Sequence, residues 1–212
     1  QMQAVMEDLR PDAIKIGMTG NVEIISEIAR LLHQYSPRQV VLDPVMVSTS
    51  GHNLMTDEAV EAICTLLLPE VSLVTPNLHE AAVLLQQPIH TVDDMEYAAH
   101  LVYEKYHCAC LVKGGHLTGN EMCDVLYDGH ELHLFGARRI HSGNLHGTGC
   151  TLSSAIATFL AQGFPLYEAV ELAKTYITKA IEAGKDLHIG QGNGPLCHFP
   201  YLVNPVNPLT EE

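Results

Sequence analysis

The chain has 212 residues, 47% of them hydrophobic and 17% charged, the proportions of a globular domain with a sizeable core rather than of a disordered segment. Its formal net charge of −14 sets it against nucleic acid and anionic membrane surfaces as partners, because such a field repels both. A phosphate ligand would have to be captured locally, by backbone N–H groups, a few lysines and a metal ion.

The chain opens on QMQAVMEDLRPD, which reads as the end of an amphipathic helix, and the lack of an initiator Met leads us to expect an upstream piece. AIKIGM (13–18) is a short apolar strand. NVEIISEIARLLHQY (21–35) places Val22, Ile25, Ile28, Ala29 and Leu32 on one helical face. QVVLDPVM (39–46) is a buried strand stopped by Pro44, which cannot continue a central ladder. TDEAVEAICTLLLPE (56–70) is a helix with Thr56 as N-cap and acids in its first turn, ending at Pro69.

VSLVTPN (71–77) is again a strand closed by proline, followed by helices over about 78–86 and 92–106 and the strand CACLVKGG (108–115). MCDVLYDGHELHLFGA (122–137) is a β-hairpin turned at Asp128-Gly129. Two long helices follow, over about 148–162 and 166–184, and then an irregular, proline-rich tail. There is no internal repeat and no linker, so residues 1–212 read as one domain.

Alternating β and α units with apolar strands predict an α/β fold, with a mostly parallel sheet covered on both faces. Ligands of such sheets bind beyond the carboxyl ends of the strands. Asp43, Thr75-Pro76-Asn77 and Lys113-Gly114-Gly115 each lie just past a strand, so they can converge on one edge.

Six cysteines, at 64, 108, 110, 123, 150 and 197, include no pair of CxxC units, which removes a zinc ribbon from consideration. With no signal peptide visible, they are expected to be reduced thiols of a cytoplasmic protein. The 13 histidines fall singly, without HxxxH spacing. No apolar run approaches the roughly 20 residues of a membrane span.

Four stretches can carry chemistry, and each has a plainer reading. GNLHGTGC (143–150) leads into an apolar helix whose start exposes unpaired N–H groups and a partial positive charge. Gly147 and Gly149 let a phosphoryl oxygen approach the backbone, and the helix terminus favours the thiolate of Cys150. That thiolate could take the proton of a substrate hydroxyl attacking phosphorus; the alternative is a glycine-rich cap with a small cysteine. The stretch lacks the Gly-Lys-Ser/Thr of a P-loop. Asp43 is either a Mg²⁺ ligand or a strand-end turn acid. Asn77 and Glu80, three apart on one helix face, address a metal–phosphate cluster or cap their own helix. Lys113 meets nucleotide phosphates or is an exposed strand-end lysine.

Taken in order, KIGM, VVLDPVM, TPNLHEA, VKGGH, HGTGCTLSSAIA and GNGPLCHF resemble the hydroxymethylpyrimidine (phosphate) kinases of thiamine biosynthesis, members of the ribokinase-like superfamily. The likeness runs collinearly from about 13 to 199. It implies a three-layer α/β/α fold, mostly parallel with a β-hairpin, in which the family's N-terminal strands would fall before Gln1. Mg²⁺ and ATP would serve phosphorylation of a hydroxymethyl group and then of the resulting monophosphate.

The same resemblance carries roles onto residues. Gly147, Thr148 and Gly149 would form the anion hole, with Cys150 in the catalytic position. Asp43 and Glu80 would hold the metal; Lys113, Asn77 and Thr75 would serve the nucleotide; Met18 and Val45 would line the pyrimidine pocket. The partner implied is a small molecule, met by a homodimer. The chain departs from the pattern in lacking an opening strand with a glycine-rich acid segment and a glutamine, in Thr49 where many relatives have lysine, and in Leu145 where threonine is usual. The alternatives are a pyridoxine/pyridoxal kinase, which shares DPVM and GTGC, and a silent vitamin- or nucleotide-binding remnant.

Overall fold

The computed structural model describes residues 1–46, 54–115 and 121–200. Its centre is a six-stranded sheet in the order β1-β2-β3-β4-β5-β6: β1 (Ile14–Ile16), β2 (Val40–Leu42), β3 (Leu73–Val74), β4 (Ala109–Val112), β5 (Glu121–Tyr127) and β6 (Leu132–Arg138). β1 to β4 run parallel, with Ile14 opposite Val40, Val41 opposite Leu73 and Val74 opposite Cys110. β5 and β6 are antiparallel additions. The expected hairpin is therefore present, and its turn is built by Asp128, whose Oδ1 accepts the N–H groups of His130 and Glu131. Gly129 turns there with φ of +100°, where a side chain would also collide with the Tyr103 ring.

Two apolar clusters lie on opposite faces of this sheet, and strand alternation sorts residues between them. Val40, Leu42, Cys110 and Val112 point into one, while Val41, Leu73, Ala109 and Leu111 point into the other. The first cluster is covered by α2 (Val22–Tyr35), α3 (Asp57–Ala62), α4 (Leu78–Leu85) and α5 (Val92–Tyr106). The second is covered by α6 (Thr148–Ala161) and α7 (Leu166–Gly184). This is the three-layer α/β/α arrangement expected of the ribokinase-like fold. A short helix, α1 (Met2–Asp8), precedes β1 and packs on α2.

Helix starts follow local chemistry. Asn21 accepts the N–H of Ile24, Thr56 that of Ala59 and Thr91 that of Asp94, so one otherwise orphaned donor is satisfied at each start. The helix expected over 56–70 is not uniform. After α3 the chain widens into a π-helical turn (Ile63–Leu67) and then tightens into a 3₁₀ turn (Leu68–Glu70). Pro69 explains the break, because it donates no N–H and its ring crowds the carbonyl four residues back. Packing compensates: Ile63, Leu67 and Leu68 are fully buried.

β2 and β4 are shorter than the apolar runs that contain them. The run 39–46 leaves the ladder after Leu42, although the Asp43 N–H still reaches the Ile16 carbonyl at 2.9 Å. These early ends put Asp43 and Lys113 on loops at the carboxyl edge, where a ligand can be met. Thr49 lies outside the described residues.

Candidate active site

Four segments meet at the carboxyl ends of β2, β3 and β4. Asp43, 2% exposed, follows β2, and its Oδ1 receives the Lys113 Nζ at 2.7 Å. Thr75 follows β3 and is fully buried, with its hydroxyl directed to Asp43 Oδ1 at 3.3 Å and to the Leu42 carbonyl. It stands beneath Asp43, with its hydroxyl turned into the protein. Lys113 follows β4, half-buried, with its backbone N–H on the Pro76 carbonyl at 2.8 Å. The ion pair therefore ties β2 to β4 over the top of β3.

Asn77 and Glu80 open α4 as a reciprocal capping box. Asn77 Oδ1 accepts the Glu80 N–H at 2.9 Å, and Glu80 Oε2 accepts the Asn77 N–H at 2.8 Å. The capping role is thus real, and it also holds a buried carboxylate in the site. Burial pushes the Glu80 carboxyl above its ordinary value and nearby Asp43 adds to this, whereas Lys113 and the backbone of Asn77 and Met46 pull it down.

The fourth segment is the start of α6. Gly147 holds φ of +85° and brings no side chain to cap the helix; the Thr148 N–H turns to the Leu145 carbonyl at 3.3 Å, and the N–H groups of Gly149 and Cys150 have no side-chain cap. Gly149 approaches the ion pair closely: a Cβ there would stand 3.2 Å from Lys113 Nζ and 3.7 Å from Asp43 Oδ2. Thr148 is turned back onto the Leu145 carbonyl through its hydroxyl at 2.7 Å. Cys150, in the same first turn, is exposed. Two carboxylates, one ammonium and a bare helix start are thereby brought together from positions 43 to 150 of the chain.

Met18 and Val45 do not stand together in the same way. Met18 is exposed at the lip of a cavity of about 530 Å³ that runs along β1, while half-buried Val45 is not among its described lining residues. Thr19 lines that cavity too, and its buried hydroxyl has no hydrogen-bond partner among the described residues.

Asn144, which the motif reading passed over, organises the loop before α6. Its side-chain amide donates to the carbonyls of Gly184 and Leu187 at 2.7 Å each, and its Oδ1 packs against Gly194. The His146 N–H adds a bond to the Gly194 carbonyl at 3.1 Å. The end of α7 and the segment around 194–197 therefore brace the turn. The only hint in the sequence was that GNLHGTGC and GNGPLCHF occur together; nothing in either stretch specifies the contact.

Among the described residues no group of three or more His, Cys, Asp or Glu is placed to hold a metal, and no helix is long and apolar enough to cross a membrane. Residues 1–197 match the family model described as phosphomethylpyrimidine kinase. The chain belongs to the phosphomethylpyrimidine kinase family. It is 49% identical over 201 residues to the hydroxymethylpyrimidine/phosphomethylpyrimidine kinase of Rhizobium meliloti (strain 1021), covering 94% of this chain and 75% of that one. The crystal structure of phosphomethylpyrimidine kinase from Clostridium difficile 630 superposes with a TM-score of 0.76 at 40% identity, covering 85% of this chain and 73% of that one. The pyridoxal kinase of Staphylococcus aureus in complex with ADP superposes with a TM-score of 0.83 at 31% identity, covering 97% and 76%.

Proposed function

We propose that this kinase transfers the γ-phosphoryl group of ATP to hydroxymethylpyrimidine and then to hydroxymethylpyrimidine phosphate, a step of thiamine biosynthesis. The observation that carries the reading is the juxtaposition of the α6 start with the Lys113–Asp43 pair, with Gly149 against both partners. A bare helix terminus beside an ammonium is a site for phosphoryl oxygens, since both contribute positive potential where charge develops. The choice of pyrimidine rests on the relative from Rhizobium meliloti.

The reaction is an in-line displacement. Cys150 takes the proton of the substrate hydroxyl onto Sγ as the oxygen attacks phosphorus, and the bond to the leaving diphosphate breaks. N–H groups of Gly147 to Cys150 bind the transferring group, and Lys113 neutralises the diphosphate, with Asn77 on the nucleotide side. Thr75 keeps Asp43 in place. Asp43 and Glu80 would hold Mg²⁺, a hard cation that prefers carboxylate oxygens. Bound there, Mg²⁺ would neutralise charge on the phosphates. The 530 Å³ cavity with Met18 on its lip supports a substrate subsite near β1, to which Val45 would contribute from the β2 loop. A cytoplasmic homodimer of single-domain chains completes the reading; six unpaired thiols suit a reducing compartment.

Two measurements test it. Incubated with Mg²⁺ and ATP, the protein should release ADP with hydroxymethylpyrimidine in preference to pyridoxine. Preference for pyridoxine would assign the pyridoxal-kinase reading, which the likeness to the Staphylococcus aureus enzyme favours. Release with neither would sink the kinase reading. Replacing the base, Cys150→Ala should lower kcat by about 10²–10⁴ while ADP binding survives; unchanged turnover would remove Cys150 from that role.

A further inference from the structure

Beyond the residues assigned above, one buried ion pair makes contact with the loop that carries Lys113. Asp124 lies in β5, 7% exposed, with its two carboxylate oxygens committed to different elements. Oδ1 accepts the backbone N–H of Gly114 at 2.8 Å, and Oδ2 receives Lys174 Nζ from α7. Lys174 is itself largely covered, with 15% of its side chain exposed. Gly114 immediately follows Lys113 and has no room for a side chain, since a Cβ would stand 1.8 Å from the Cys123 carbonyl oxygen. The turn after β4 is thus pressed onto β5 and pinned by a charge-assisted hydrogen bond, a stronger contact than a neutral one.

We infer that Asp124 is a positioning residue for the nucleotide side of the reaction: by holding the Gly114 N–H it fixes the direction in which Lys113 leaves β4. Lys174 makes this arrangement tolerable by neutralising a carboxylate that burial would otherwise penalise. The inference rests on the proposed assignment of Lys113 to the nucleotide phosphates. Asp124 lies outside every stretch assigned to the site, and it acts through the backbone rather than on substrate. What the geometry requires of residue 124 is an acceptor oxygen near Gly114; the charge strengthens that bond and matches Lys174.

A pair of double variants separates those two properties. Asp124→Asn with Lys174→Met removes both charges and keeps an oxygen for the Gly114 N–H. Asp124→Ala with Lys174→Met removes both charges and the oxygen. The Ala pair should show a KM for ATP and a Kd for ADP about tenfold higher than the Asn pair, while KM for the alcohol substrate differs by less than about twofold. Equal nucleotide affinities in the two pairs, or parallel losses for nucleotide and alcohol together, would overturn the inference. Should the Ala pair fail to fold, Asp124→Asn with Lys174→Met is compared with the unaltered chain; loss of ADP affinity by tenfold or more despite the retained oxygen overturns it equally. ADP binding by calorimetry needs no turnover. An inactive unaltered protein would therefore count against the kinase reading and leave the positioning inference open to the binding comparison alone.

Discussion

The thiols divide by environment. Cys150 is exposed at the start of α6, whereas Cys108, Cys110 and Cys197 are buried. Burial lifts the Cys108 thiol to about 12, and it lifts Cys110 well above its ordinary 9.0, with Cys108 beside it adding to the effect. Reactivity belongs to the thiolate, so these two are inert near neutral pH for two independent reasons, access and ionisation. Alkylation of the native protein by iodoacetamide at about pH 8 should label Cys150 first, and ADP with Mg²⁺ should slow that labelling. Cys108 and Cys110 should appear as labelled peptides only after urea unfolding. Labelling of Cys108 at the rate of Cys150 would contradict the packing of β4. The sequence alone made Cys150 conspicuous because it follows two glycines at a helix start. It did not sort the remaining five, since period-2 burial on both faces of β4 is a property of the sheet.

At the level of elements, α4 combines a helix cap and a buried carboxylate in one residue. Glu80 completes the capping box, which glutamine also satisfies, and it offers a carboxylate beside Asp43 and Lys113. Burial makes the folded chain favour protonated Glu80 more than the unfolded chain does. That preference stabilises fully below the ordinary 4.5 and is lost as pH rises through the raised value. Glu80→Gln keeps the cap and escapes the loss. Its unfolding midpoint in urea should therefore gain on that of the parent as pH goes from about 4 to about 7, while Mg²⁺-dependent turnover drops by at least about tenfold. A midpoint gap that stays constant across that range would refute the burial argument. Helix caps are legible in sequence because they are local: Thr56 caps α3 as expected, and the cap reading of Asn77 holds for α4. The π and 3₁₀ turns after α3 were not, because Pro69 and the core compete there and only packing decides the outcome.

Over the whole molecule, the site is legible wherever a strand delivers a residue and hidden wherever distant segments close on each other. Asp43, Thr75 and Lys113 could be read from the punctuation of three strands, since a parallel sheet brings successive carboxyl ends to one edge. The bracing of the turn before α6 could not, because Asn144 meets Gly184 and Leu187 some 40 residues along, after α6 and α7 have packed across the sheet. Asn144 is 8% exposed and spends both amide hydrogens on carbonyls at the end of α7. Asn144→Ala leaves both carbonyls short of a donor and opens space against Gly194, a loss of about 2 kcal/mol or more in urea unfolding. Asn144→Asp is nearly isosteric but turns a carboxylate toward the same two carbonyls and donates nothing when ionised. It should be the less stable of the two near neutral pH, although it preserves the volume that alanine gives up. If shape were what held the turn, the order would reverse. Comparing the two midpoints thus decides whether α7 is fastened to the turn before α6 by hydrogen bonds or only by close packing.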